Sequence, residues 1–523
     1  MSLPARAGLR PARPHAAGGR VSRSESLWWL VGVAAAFTAA QLIFVAPRLG
    51  LSWDETVYVS QVSVHAPAAY FDPARARGIP VLVAPVTMLT SSVLALRIYL
   101  SVASGLGLFL ALLAWRRLRP AWQLALAGVF FAGLWTAEYY GPQAMPDLWV
   151  ALSSLAATGL FLHAAGPAGA SGASAVDAAG GTAAGTGPAA VSVPAAGPRR
   201  PRLALLAGLA ACVAVAALVR PGDALYLAAA LGIAVIAVPR WRQWQLLAAV
   251  VAGFAAGAAQ WVIEAYLRFG GPLNRLHEAG AEQGGFGFHL ALWDELRAVN
   301  GPTLCRPCTV GFRYPEISLW WLALPALVVL GALAARRAGR LGSSVLATSC
   351  ALALALQYLF LIGYAAPRFL LPAYALAAIP VADAIGGLIT GVRRDLRPAA
   401  ITLVAVALFA QLLVQNAVLE HQVDEKITFF GDYTRIAADL HKLGVRAPCL
   451  VKGEQDIPIA FYAGCASAPG AVATRAGHPS EPVVVLLSPG QTLPAYARGW
   501  KRHRLSGVRT RLLRLSAYAP PRG

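Results

Sequence analysis

The chain has 523 residues, 57% hydrophobic and 13% charged, and a mean hydropathy of +0.58. Soluble domains carry about 45–50% apolar and about 25% charged residues, so a soluble globular protein, a disordered chain and a coiled coil are excluded. The formal net charge is nevertheless +20, from 44 Lys and Arg against 24 Asp and Glu. Basic chains often bind nucleic acid, but a polytopic membrane protein also collects Lys and Arg in its cytoplasmic loops. The positions of the arginines decide between the two.

Residues 1–26, with Arg6, Arg10, Arg13, Arg20 and Arg23, read as a disordered basic cytoplasmic tail before an uncleaved first span. Apolar runs of about 20 residues, the length that crosses a bilayer, recur at 27–46, 96–115, 122–138, 146–165, 203–219, 224–239, 245–266, 317–335, 343–364, 369–392 and 399–417. The stretch 79–95 is broken by Pro80 and Pro85 and reads as an interfacial or re-entrant piece, with a short span as the alternative. Arginine clusters at 116–119, 199–202, 240–242, 336–340 and 393–397 all fall on the side of the N-terminal tail. By the positive-inside rule that side is the cytoplasm. The charge therefore reports topology, and no nucleic-acid partner is expected.

The chain thus reads as an α-helical polytopic membrane protein of about 11 transmembrane helices, multi-pass in the plasma membrane. Its membrane domain covers 27–417. Residues 166–198, almost wholly Ala, Gly, Ser, Thr, Pro and Val, read as a low-complexity cytoplasmic linker, and 267–316 as a long outer loop. From 418 to 523 the apolar runs shorten, and a small extracytoplasmic α/β domain is expected. In it Leu450-Val451, Ile457 to Tyr462 and Val483 to Leu487 read as strands, Ile436 to Leu443 as helix, and Trp500 to Tyr518 as a strand or hairpin. Cys449 with Cys465, and Cys305 with Cys308, are disulfide candidates in an oxidising compartment. For the second pair, free thiols or a metal are the alternatives.

Acids at the outer ends of spans are few. Asp54 and Glu55 lie in Leu51-Ser-Trp-Asp-Glu-Thr-Val-Tyr58, and Asp147 in Gln143-Ala-Met-Pro-Asp147-Leu-Trp149. The structural alternatives are an N-cap at Asp54-Glu55 and a dipole-favoured helix start at Asp147. Arg75, Arg77, Arg220 and Arg368 lie on the same side, against the topological bias. Headgroup contact is the alternative for Arg75 and Arg220, whereas Arg368, flanked by prolines, suits a phosphate.

These motifs carry a resemblance. The chain resembles the GT-C class of membrane glycosyltransferases, in particular the branch of protein O-mannosyltransferases and lipid A aminoarabinose transferases. Its marks are Asp54-Glu55 followed by Tyr58, then Arg77-Gly78-Ile79-Pro80-Val81-Leu82 with one proline lost, Asp147 entering the fourth span, and Arg368-Phe-Leu-Leu-Pro372. The resemblance implies transfer of a sugar from a polyprenyl-phosphate donor to an extracytoplasmic glycan, lipid or protein, by inverting displacement. Asp54 would be the general base, Glu55 and Asp147 would position hydroxyls, and Arg368, Arg77 and Tyr58 would bind the donor phosphate. No cofactor is assigned, and a divalent metal at Asp54 stays open, although the sequence shows no dedicated ligand set. The competing class is a transporter or lipid-linked sugar flippase, for which Glu264 and Asp383 are the residues to alter.

Overall fold

The computed structural model describes residues 23–166, 199–285, 287–309, 311, 314–468, 482–505, 508–510 and 514–520. The expected basic tail therefore lies outside the described residues up to position 22, as does the expected low-complexity linker from 167 to 198. In chain order the helices begin with α1 (Arg23–Ala40, prolonged by a π-helical turn Gln41–Val45), α2 (Trp53–Ser60), α3 (Gly78–Thr87) and α4 (Val93–Leu113). There follow α5 (Ala121–Ala132), α6 (Trp135–Tyr140), α7 (Pro146–Ala165), α8 (Arg199–Val219), α9 (Pro221–Ala237) and α10 (Trp244–Arg268). Next come α11 (Pro272–Glu282), α12 (Leu292–Val299), α13 (Leu319–Arg337), α14 (Leu341–Phe360), α15 (Leu371–Gly391), α16 (Arg397–Lys442) and α17 (Asp456–Ala463).

Nine of the described helical segments are long and apolar enough to cross a membrane. The other two expected spans are α5 and α9, of 12 and 17 residues. The third expected span breaks after Ala132, where the chain restarts as the short α6. Helices α7 and α15 form the centre, with 78% and 67% of their apolar windows buried, whereas α13 and α16 bury only 11% and stand at the rim. An unpartnered apolar rim of this kind is what lipid covers.

Small residues set the approach of α8 to α10. Gly253 and Gly257 of α10 lie against α8, and a Cβ on either would strike the carbonyl oxygens of Ala210 and Ala214. This small-xxx-small contact lets two backbones touch where hydrophobic burial supplies no drive. At the end away from α2, the α4–α5 turn is tied to α15 by Arg119, which donates to both carboxylate oxygens of Asp383 at 2.7–3.1 Å. Asp383 is thus fully consumed in a buried ion pair. Glu264 is likewise held by Arg77 and Arg275.

The helix α16 is a single rod of 46 residues that runs through position 418 without a break, about 69 Å long at 1.5 Å per residue. Beyond it lies a five-stranded sheet of β1 (Leu450–Gly453), β2 (Ala466–Ser467), β3 (Val483–Leu487), β4 (Lys501–Arg504) and β5 (Ser516–Ala519), in the order β2-β1-β3-β5-β4. β1 is parallel to β2 and β3, and β5 is antiparallel to β3 and β4. The segment Ile457 to Tyr462, expected as a strand, is helix α17. A short apolar run suits either element when fully buried, and here Pro458 in the first turn and Gly464 at φ 71° after the last turn favour a helix. The sheet is fastened to α16 by buried Asp432, which accepts from the N–H groups of Arg509 and Thr510 at 2.8–3.1 Å. Cys449 and Cys465 are disulfide-bonded, as are Cys305 and Cys308.

Replacement of Gly257 by Leu should force α8 and α10 apart and cost about 1–3 kcal/mol, the usual cost of overpacking. The check is a lower midpoint of thermal unfolding in detergent, with the Gly257→Ala protein falling between the two.

Candidate functional site

The site grows from the N-terminus of α2. Ser52 and Glu55 form a reciprocal capping box: Ser52 Oγ accepts from the Glu55 N–H at 3.4 Å, and Glu55 Oε2 accepts from the Ser52 N–H at 3.0 Å. Such Ser-x-x-Glu boxes satisfy two orphan donors of the first turn. The box turns Glu55 inward. It is fully buried and bound by Arg97, itself fully buried, and it accepts from the Ala144 N–H at 2.8 Å. Adjacent helical residues diverge by about 100°, so Asp54 faces the other way, into open space.

Two cavities meet there. The first, about 1130 Å³ with its mouth, is bordered by Asp54, Tyr58, Asp72, Arg75, Asp147, Arg220, Arg306 and Arg368. The second, about 990 Å³, lies on the far side of α2 against α6, α16 and the β1–α17 turn. Trp53, Asp54, Met145, Leu304 and Arg368 belong to both.

Around the first cavity the charges alternate. Asp72 pairs with Arg75, and Arg75 Nη2 donates to Asp54 Oδ1 at 2.7 Å. Arg368 Nη2 lies 3.2 Å from Asp54 Oδ2, and its Nε lies 3.4 Å from Asp147 Oδ2. Asp147 also pairs with Arg220, which reaches Asp223 at 3.7 Å. The chain of charges thus holds four aspartates and three arginines. Asp54 is its most open aspartate, with 31% of its side chain accessible against 1% for Asp147. Burial alone would raise the Asp54 carboxyl, but the guanidiniums of Arg75 and Arg368 outweigh it and hold the group below the ordinary carboxylate value.

Each arginine is aimed by neighbours. The Arg75 carbonyl accepts from buried Arg275 at 2.8 Å, which also bonds the Pro73 and Trp261 carbonyls and so pins α11 and α10 to the loop. The Arg75 guanidinium lies 4.9 Å from the Tyr58 ring centroid. Arg220 lies over the Phe369 ring at 5.1 Å. The segment 305–308, closed by its disulfide, pairs with the Arg368 loop through Cys305 N–H to Ala365 O at 2.8 Å. That pairing brings Arg306 and Leu304 over the cavities.

Of the residues singled out from sequence, Asp54, Asp147, Arg368 and Tyr58 come together around the first cavity. Glu55 borders neither cavity. Arg77 donates to Glu264 at 2.6 Å and to Gln61 at 2.7 Å, and it is absent from both linings. The arginines that do line the first cavity beside Arg368 are Arg75, Arg220 and Arg306. The first two already stood out as basic residues on the side where such residues are scarce. Arg275 and Arg97 carried no motif at all. Among the described residues no three His, Cys, Asp or Glu side chains gather as metal ligands. With a guanidinium on each oxygen of Asp54, the residues present fit an anion better than a divalent cation.

No family model and no curated protein sequence matches the chain. Solved structures do. The structure of ArnT from Cupriavidus metallidurans bound to undecaprenyl phosphate superposes with a TM-score of 0.65 at 14% identity, covering 94% of this chain and 98% of that one. The Archaeoglobus fulgidus oligosaccharyltransferase in complex with Zn and sulfate gives 0.51 at 12% identity, covering 84% and 62%. The chain therefore has the fold of the GT-C membrane glycosyltransferases, as the resemblance implied.

Replacing Arg97 by Met should leave the Glu55 carboxylate buried without its partner and destabilise the protein by about 3–5 kcal/mol. Adding Glu55→Gln should restore part of that loss, measured as a non-additive double-mutant cycle in chemical unfolding.

Proposed function

We propose that the chain is a plasma-membrane glycosyltransferase that moves a sugar from a polyprenyl-phosphate carrier to an extracytoplasmic acceptor by a single inverting displacement. The observation that carries this reading is the first cavity: the guanidiniums of Arg75, Arg220 and Arg368 alternate there with aspartates, of which Asp54 is the most open, at the head of a membrane bundle. The shared fold with ArnT, solved with undecaprenyl phosphate, supports a lipid-phosphate donor. The arginine clusters at the opposite helix ends support an outward-facing site, with the N-terminus cytoplasmic and the sheet domain extracytoplasmic.

In the reaction an acceptor hydroxyl attacks the anomeric carbon. The bond from that carbon to the phosphate oxygen breaks, and polyprenyl phosphate leaves with the electron pair. Asp54 takes the hydroxyl proton as general base. Arg75, Arg220 and Arg368 stabilise the charge that grows on the departing phosphate. Asp147, wedged between Arg220 and Arg368, sets their spacing. Glu55 acts through position, as the cap that turns Asp54 outward.

The resting site is unsuited to base catalysis, because two guanidiniums hold Asp54 in its anionic form and weaken it as a proton acceptor. An incoming phosphate competes for those same guanidiniums. As Arg75 and Arg368 turn to the donor, their hold on Asp54 relaxes and its proton affinity rises. The donor thereby arms the base.

Asp54→Asn should lower transfer from radiolabelled polyprenyl-phosphate sugars in membranes by about 100- to 10,000-fold, the range of a lost general base, with membrane insertion unchanged. Near-normal transfer by that variant would sink the base assignment. In the parent protein the acidic limb of kcat/KM, which reports the free enzyme, should lie below the ordinary carboxylate range. The acidic limb of kcat, which reports the donor complex, should lie at least about one pH unit higher, equivalent to about 1.4 kcal/mol. Coincident limbs would rule out arming by the donor.

A further inference from the structure

The second cavity has a chemistry of its own. We propose that it is the acceptor subsite, that it takes a carbohydrate, and that the sheet domain reads that carbohydrate through Gln455. This rests on the transferase reading above, which supplies the reason for two cavities meeting at one carboxylate.

A single displacement needs the acceptor hydroxyl on the face of the anomeric carbon opposite the leaving phosphate. With the phosphate among Arg75, Arg220 and Arg368, that face lies across Asp54, where the second cavity opens. Arg368 and Asp54 carry charge from the first cavity into the second, and Lys426, paired with Glu425 at 2.6 Å and lying 5.9 Å from the Phe429 ring centroid, is the one further charge among the described residues of its wall. Most of the rest of the second lining is aromatic rings interleaved with amide and hydroxyl groups. Phe430 and Tyr433 are stacked with centroids 6.1 Å apart and planes 22° apart, and Phe429 meets Tyr433 edge-on at 5.5 Å. The C–H face of a sugar ring carries slight positive charge and packs on the negative face of such rings, while its hydroxyls need neighbouring donors and acceptors.

Gln455 supplies them from the turn between β1 and α17. It is the one non-glycine described residue with a left-handed backbone, at φ 54°. Residues other than Gly, Asn and Asp adopt that conformation seldom and at a cost. Here the conformation places the carboxamide at the cavity wall, where Oε1 accepts from the Tyr433 hydroxyl at 2.7 Å and the NH2 group is left to donate. The same domain holds the catalytic loop: the Leu51 N–H, one residue before the Ser52 cap, donates to the Tyr462 hydroxyl of α17 at 2.9 Å. No described strand edge borders the cavity, so an extended peptide would find no main-chain partners of the kind that peptide grooves provide. The volume suits a small ligand portion such as the end of a glycan.

The test uses the full chain in lipid nanodiscs. Saturation-transfer NMR is recorded with mannohexaose, with an arabinofuranose oligosaccharide and with a short Ser/Thr-rich peptide, and undecaprenyl phosphate binding is measured in parallel. Saturation transfer to at least one of the glycans and none to the peptide is expected. Gln455→Gly, which keeps the backbone conformation and deletes the amide, should weaken glycan binding by about tenfold. Tyr433→Phe, which removes the hydroxyl that orients the amide, should weaken it by less, and both variants should bind undecaprenyl phosphate as the parent does. Binding of the peptide alone, or of no probe, overturns the proposal. So does an equal loss of glycan and undecaprenyl phosphate in the variants, which marks general damage. A parent chain that binds a glycan but not undecaprenyl phosphate sinks the donor reading and leaves the glycan site standing.

Discussion

Four aspartates and three arginines alternate across the head of the helical bundle, and every one of the arginines is shared between two carboxylates. Charges of one sign at this depth would repel, and isolated ones would pay a desolvation cost of several kcal/mol each. Alternation solves both problems at once. It also dictates much of the surrounding structure, because the seven side chains come from five places in the sequence. The loop after α2, the starts of α7 and α9, and the loop before α15 must all converge on α2 for the chain of charges to close. The packing that brings them together is visible nearby: Gly78 lets α3 rest on the Leu218 backbone, and Arg275 laces α10 and α11 to the Arg75 loop.

A fully paired network is stable but chemically idle. Its most accessible acid, Asp54, sits between two arginines that suppress its basicity. On the proposed reading an entering donor phosphate would relieve that suppression while satisfying the same donors, so that affinity and activation would come from one exchange of partners. The second cavity is richer in rings and amides and, of the first cavity's guanidiniums, shares only that of Arg368.

Much of the fold was legible in the sequence because a bilayer imposes one simple rule on it. Apolar runs of spanning length and the one-sided arginines located α1, α4, α7, α8, α10, α13, α14 and α15 within a few residues. The misreadings have physical reasons. From Leu124 to Trp135 the run is apolar on every side, so periodicity gives no sign of the break at Gly133. Ile457 to Tyr462 is equally apolar on all sides, so its helix had to be read from Pro458 and Gly464. At the site, Asp54 and Asp147 were legible as scarce acids at span ends, and Arg368 as an arginine placed against the topological bias of the other clusters. The division of labour between Asp54 and Glu55 was not, although Ser52 three residues before Glu55 spelled out the capping box. Arg275 and Arg97 act through backbone carbonyls and buried acids far away in sequence, and no local pattern marks such a role.

Asp54 and Arg368 stand in both cavities at once, and shared walls have a thermodynamic consequence. Any shift that a ligand in one chamber produces in those two side chains alters the affinity of the other chamber. Linkage makes that alteration reciprocal: if the proposed lipid phosphate and glycan occupy the two chambers, the factor by which the first alters the affinity of the second is the factor by which the second alters the first. The partition between the chambers is therefore also their means of communication. On the proposed function, two substrates could be held in a preferred order without any moving domain, by the exchange of ion-pair partners across one carboxylate.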